Sequence, residues 1–233
     1  ADIHGGGQDL LFPHHENELA QSCCAHDNAN HPESFASYWV HNGFVTIADE
    51  KMSKSIGNIK LVHDLIQHYP GEVLRLSLLS SHYRQPLNWT TDLLTQQQTA
   101  LNKWYRSLYD TRQIAVSVSE TDIPRTVIDA LSDDLNTAKA IACLHELSTQ
   151  LNQATTRDAK KQVKTQLLAS ARLLGLLQQD PEQWLGFKST QNNQDETSRI
   201  EAIIEKRNQA RKTKDFQTSD KLRDELKQQG IEL

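Results

Sequence analysis

Between Gly71 and Gly175 the chain contains no glycine, and Pro124 is the one proline from residue 87 to residue 180. So long a run without helix breakers constrains the fold more than any other feature, because an interior Gly or Pro costs a helix about 1 or 3 kcal/mol relative to Ala. Long helices are the expectation. Leu94, Leu101, Trp104 and Leu108 form one apolar stripe, and Ile128, Leu131, Leu135, Ala138 and Ala142 form a second at steps of three and four. Val163, Leu167, Ala171 and Leu174 form a third, which stops at Gly175 in the position of a C-cap. Stripes of this kind are bundle core rather than chemistry, and they predict an antiparallel helical bundle over residues 91–186.

Upstream the punctuation is different. Leu61–His68 and Val73–Tyr83 read as shorter helices split by Pro70-Gly71, within a connecting region at 61–90. Tyr38–Ile47, rich in β-branched and aromatic residues, reads as a strand or hairpin with Gly43 in its bend. At the start of the chain, Gly5, Gly6 and Gly7 remove three Cβ atoms in a row, which lets backbone lie directly against a ligand such as a nucleotide. Asp9 beside them is the type of residue that accepts hydrogen bonds from ribose hydroxyls. Pro13 suits the first position of a helix, and on that helix His14 and Glu18, or equally His15 and Glu18, share a face and can meet one zinc ion. Acidic residues in a first helical turn also complement the macrodipole, which accounts for Glu16 and Glu18 but not for two adjacent histidines. Cys23 and Cys24 lie five or more residues past Glu18, on later turns, and read as buried small hydrophobes. His26 and His31 flank a turn-rich stretch and read as exposed.

The sequence Lys51-Met52-Ser53-Lys54-Ser55 places two ammonium groups three residues apart among small neighbours, which suits a loop gripping phosphates. This pentapeptide resembles the signature loop of class I aminoacyl-tRNA synthetases. Together with His4-Gly-Gly-Gly-x-Asp9-Leu-x-Phe-Pro-His14-His15-Glu-Asn-Glu18, it makes the chain similar to cysteinyl-tRNA synthetases. The resemblance covers the whole length. It implies a Rossmann-like class I catalytic domain, of which residues 1–60 are an α/β remnant, followed by the helical bundle and a small C-terminal helical module. Among site residues it implies His14 and Glu18 as zinc ligands and His4 as a wall of the cysteine pocket. It also implies Lys54, Asp9, Gly6 and Gly7 as ATP contacts, with Lys51 and Lys54 acting on the leaving pyrophosphate. Zinc is the implied cofactor, ATP with magnesium, L-cysteine and the tRNA for cysteine are the implied partners, and the implied state is a monomer. The family's His-x-Gly-His motif and its cysteine ligands to zinc are absent from these residues, so the chain reads as a fragment, expected to be inactive by itself.

Composition adds exclusions. A net charge of −5 argues against indiscriminate coating of nucleic acid, so contact with RNA must come from local basic faces. Three cysteines, two of them adjacent, make no disulfide framework and suit a reducing cytoplasm, and no long apolar run suggests a membrane. Residues 187–198 are polar and read as a linker. Arg199–Lys227 carries nine Lys/Arg against six Asp/Glu, reversing the sign of the whole. Standing alone it would be a solvated helix. Arg207-Asn208-x-Ala210-Arg211, Lys214-Asp215-Phe216 and the run from Ser219 to Leu226 resemble the start of the family's anticodon-binding module, at 199–233. Two other readings share some of these features. One is a cysteine:amino-sugar ligase, which has the zinc pocket and lysine loop without the anticodon module. The other is a non-catalytic tRNA-binding piece.

Overall fold

The computed structural model describes residues 1–26, 31–47, 50–51, 60–187, 203–207, 209–210, 215 and 218–223. It divides into two compact units, Ala1–Leu185 and Gly186–Leu233.

The first unit begins with a parallel pair of strands, β1 (Ile3–Gly7) and β2 (Tyr38–Asn42), in register from Ile3 opposite Tyr38 to Gly7 opposite Asn42. Parallel strands need a crossover, and helix α1 (Glu16–Ala25) lies within it. A turn leads into this helix. Residues Leu11–His15 form a wide turn in which Phe12 is extended (φ −137°, ψ 134°) and the Phe12–Pro13 peptide is cis. Proline disfavours the helical region for the residue before it, so Phe12 stands outside the helical backbone that Pro13 opens and α1 continues. Cys23 is buried as expected, whereas Cys24 is exposed.

Tyr38–Ile47 is not a hairpin. Strand β3 (Val45–Ile47) leaves β2 for a second sheet, ordered β4-β3-β5, with β4 (Glu50–Lys51) antiparallel and β5 (Leu87–Asn88) parallel to β3. Gly43, between β2 and β3, is needed for close approach rather than for a bend. A Cβ there would lie 2.5 Å from the Gln85 carbonyl oxygen.

Helix α2 (Val62–Leu65) is a single turn, and α3 (Gly71–Leu79) follows Pro70, four residues shorter at its C-terminal end than Val73–Tyr83 suggests. The bundle then comprises α4 (Thr91–Asp110), α5 (Arg125–Ser132), α6 (Thr137–Gln153) and α7 (Arg157–Leu173), with a short α8 (Pro181–Trp184). Side-chain oxygens of Thr90, Asn136 and Thr156 accept from the backbone N–H of Leu93, Lys139 and Ala159, fixing where α4, α6 and α7 start. The short link between α6 and α7 makes them antiparallel neighbours. The first stripe is core, with Leu94, Leu101, Trp104 and Leu108 all buried against Leu144, Leu151, Leu167 and Ala171. Each such side chain contributes about 1.5–3 kcal/mol by leaving water.

The second stripe breaks. α5 ends at Ser132 and α6 starts at Thr137, leaving Leu135 exposed in the turn between them, while Val127, Ala130 and Ala140 form a small separate core. Asp134 (φ 51°) and Leu135 (φ 54°) are both left-handed there, a conformation costing a non-glycine residue about 1–2 kcal/mol. The Asp134 carboxylate accepts from Tyr83 Oη at 2.7 Å and from Arg84 Nε and Nη2 at 2.6 and 3.1 Å. These bonds, Arg84 first, pull its pKa down to about 2.

A second polar link is buried. Glu72, on α3, accepts from Tyr105 Oη and from the backbone N–H of Leu177 and Gln178, all at 2.9–3.0 Å. Tyr105 Oη in turn accepts from Gln179 N, and burial first, with Glu72 adding to it, pushes this phenol well above its ordinary pKa.

In the second unit, residues 203–207, 209–210 and 218–223 are helical, and Asp215 caps the last of these by accepting from Thr218 N and Oγ1. Arg199, Arg211, Lys214 and Phe216 lie outside the described residues. Among the described residues no helix is long and apolar enough to cross a membrane.

Candidate metal and substrate site

The site lies where α1 covers the β1-β2 pair. Side chains alternate on a strand, so His4 and Gly6 of β1 share a face with Trp39 and His41 of β2, their register partners. Over that face α1 and its leading turn deliver His14, His15 and Glu18. Gly6 is required by the packing: a Cβ there would stand 2.6 Å from His15 Nε2.

His4, His15 and Glu18 each bring a ligand atom to within 4.8 Å of the others. Glu18 is the hinge of the group. One carboxylate oxygen lies 3.1 Å from His4 Nε2 and the other 3.5 Å from His14 Nε2. His14 is the most solvent-exposed of these, whereas His15 is buried and its Nδ1 has no hydrogen-bond partner among the described residues. The donor set of imidazole nitrogens and one carboxylate suits zinc. The unpaired nitrogen of His15 supports that fit, since a buried polar atom normally finds a partner.

Aromatic rings wall the cluster. Phe35, Trp39 and His41 stack with centroids 5.5 and 5.9 Å apart, and His4 meets Trp39 at 4.7 Å and Phe35 at 4.9 Å. A cavity of about 360 Å³ opens beside His15, lined also by Leu11, Leu19, Trp39 and His41. Burial, reinforced by the neighbouring charges of His15, Arg84 and His4, lowers the pKa of His41, which favours its neutral form. His41 Nδ1, too, is unpaired among the described residues.

Of the residues expected from sequence, His4, His14, Glu18 and Gly6 converge here, whereas Gly7 faces Asp9 and Leu10, and His15, the alternative partner for Glu18, is the more buried of the two adjacent histidines. Asp9 sits just beyond β1 in an exposed turn. Lys51 has its backbone in β4, opposite Thr46 of β3. Lys54 lies outside the described residues. Trp39 and His41 went unrecognised; the signal available was their i, i+2 spacing on a strand, which puts them on one face.

Most of the chain matches known families. Residues 1–99 match the family described as tRNA synthetases class I (C) catalytic domain, and residues 126–178 match the DALR domain. The LeuRS of Agrobacterium radiobacter K84, solved in a ternary complex with tRNA and LeuAMS, superposes with a TM-score of 0.59 at 17% identity. The match covers 82% of this chain and 28% of that one, a likeness of fold. The chain is thus built from parts of a class I aminoacyl-tRNA synthetase. Cysteine–tRNA ligase of Maricaulis maris is 50% identical over 97% of the chain and 47% of the relative, and that of Rhodospirillum rubrum is 47% identical over 100% and 49%. That of Haemophilus influenzae strain 86-028NP is 44% identical over 100% and 49%. Within its class the chain belongs to the cysteinyl-tRNA synthetase family. It spans about half the length of the curated relatives it matches.

Proposed function

We propose that the whole protein joins L-cysteine to its tRNA at the expense of ATP. The cysteine carboxylate attacks the α-phosphorus, pyrophosphate leaves, and the enzyme-bound cysteinyl-adenylate then yields its acyl group to the terminal ribose hydroxyl, releasing AMP. The observation that carries this reading is the gathering of three histidines on Glu18 behind Gly6, on a strand pair followed by β3, the strand that pairs with Lys51 of β4.

His14 and Glu18 hold zinc in this reading, with His15 as the competing donor and His4 as a wall of the cysteine pocket. Zinc, when bound, supplies a site that accepts a thiolate far better than a serine hydroxyl, and so separates the two amino acids by coordination chemistry. The stacked rings of Trp39 and His41 form one wall of the pocket. Gly6, Gly7 and Asp9 at the end of β1 lie toward the nucleotide, where the Asp9 carboxylate accepts from ribose. In this scheme the parallel strands are a remnant of a Rossmann-like sheet, and residues 1–60, 61–90, 91–186, 187–198 and 199–233 serve as catalytic part, connection, bundle, linker and anticodon module.

Lys51 and Lys54 neutralise charge building on the leaving pyrophosphate, which makes Lys54 the sharpest test. Lys54→Ala in the whole protein is expected to slow cysteine-dependent ATP–pyrophosphate exchange by about 100-fold or more, with cysteine affinity nearly unchanged. Exchange at the wild-type rate would refute the role.

A further inference from the structure

We infer that Asp134 is a positioning residue, clasping the helical DALR portion to the strand segment that leads into the lysine loop, and so setting where a tRNA held by the helices presents its 3′ end. This rests on the function proposed above.

One end of the clasp is fixed to the catalytic portion. Gly43 N donates to Tyr83 O at 2.7 Å, Leu87 N to Phe44 O at 2.8 Å and Trp89 N to Thr46 O at 2.7 Å. Thr46 is also opposite Lys51 on the other edge of β3. The three side chains of His82, Tyr83 and Arg84 therefore project from backbone that is hydrogen-bonded to residues 43–46, and β3 in turn pairs with β4. They are ordered among themselves, with the His82 and Tyr83 rings stacked at 5.0 Å and the Arg84 guanidinium 5.1 Å from the Tyr83 ring.

The other end is the α5–α6 corner. Asp134 receives both nitrogens of Arg84 and the Tyr83 hydroxyl, with His82 Nε2 at 3.9 Å. The corner rests on its own small core of Val127, Ala130 and Ala140, with Ile123, Leu131, Cys143 and Leu174 packed against it, separate from the main core. An isolated exposed ion pair adds little to stability, and two consecutive left-handed residues oppose it. A bidentate guanidinium contact reinforced by a phenol instead fixes direction. The chain accepts local strain for a link whose product is geometry, between the part matched to the catalytic domain and the part matched to the DALR domain.

The test uses the whole protein carrying Asp134→Asn, which keeps size and tolerance of the left-handed conformation, and separately Arg84→Lys, which keeps charge but not the fork. Cysteine-dependent pyrophosphate exchange is expected to stay within about twofold of wild type, while kcat/KM for tRNA charging falls about tenfold or more, mainly through KM. Hydrogen exchange at residues 133–137 should quicken in both variants. Charging at the wild-type rate in both variants would overturn the inference. So would parallel loss of exchange and charging that follows a drop in thermal midpoint, which marks a structural role only. Absence of exchange in the wild type itself would refute the functional reading, and this inference with it, and that control separates the two failures.

Discussion

Glu18→Ala in the whole protein is expected to leave zinc well below one ion per chain and to slow cysteine activation by about 100-fold or more. Even partners of metal ligands commonly cost 10- to 100-fold when removed. Glu18 is the one anion among the gathered donors, and its two oxygens face His4 at 3.1 Å and His14 at 3.5 Å. On the proposed assignment its removal takes away both a ligand and the group that orients two imidazoles. Glu18→Gln retains the size and most of the hydrogen bonding, so a role in packing alone would leave that variant unharmed. Elemental analysis of both variants, alongside pyrophosphate exchange, checks the assignment. His14→Ala and His15→Ala measured the same way decide which histidine completes the set: the ligand's removal empties the site, whereas the other's changes only cysteine affinity.

Glu72→Ala is expected to destabilise the first unit by about 3–5 kcal/mol, because it strands a phenol and two peptide N–H groups away from water, at about 1–3 kcal/mol for each unsatisfied group. The carboxylate of Glu72 joins the start of α3 to Tyr105 of α4 and to the turn after α7 at Leu177 and Gln178. The ring of Tyr105 also stacks on Trp184 at 4.4 Å, so the loss would spread to α8. Thermal unfolding should show a fall of about 10 °C, at 2–4 °C per kcal/mol for a chain of this size. A shift of a degree or two would mean that the freed donors find other acceptors.

The helical half was largely legible. Leu94, Leu101, Trp104 and Leu108 fell on one face because a long glycine-free stretch leaves periodicity as the only signal, and Gly175 does follow α7 with φ at +68°. The α5–α6 break was illegible for the same reason. No glycine or proline marks it, and Leu135 continues the helical spacing even though Asp134 is drawn into a left-handed turn by Tyr83 and Arg84, some fifty residues earlier. Glu72 gave no sign either, since an acid in the first turn of a helix is what the macrodipole alone would favour. At the site, His14, His15 and Glu18 were legible from residue type and helical spacing, and His4 from the family resemblance. The contribution of Trp39 and His41 was not, because it depends on the parallel register of β2 with β1. Gly43 was read as a bend, although its role is to admit the backbone of Gln85.

The claim that a metal held by Glu18 and its histidines takes the cysteine thiolate is tested most directly with cobalt in place of zinc in the whole protein. Cobalt accepts the same nitrogen, oxygen and sulfur donors, and a thiolate bound to it adds a charge-transfer absorption in the near ultraviolet. Addition of L-cysteine to the cobalt protein should raise that absorption, addition of L-serine should not, and Glu18→Ala should abolish the response. An unchanged spectrum with saturating cysteine, in a protein that retains its cobalt and activates cysteine, would contradict the account.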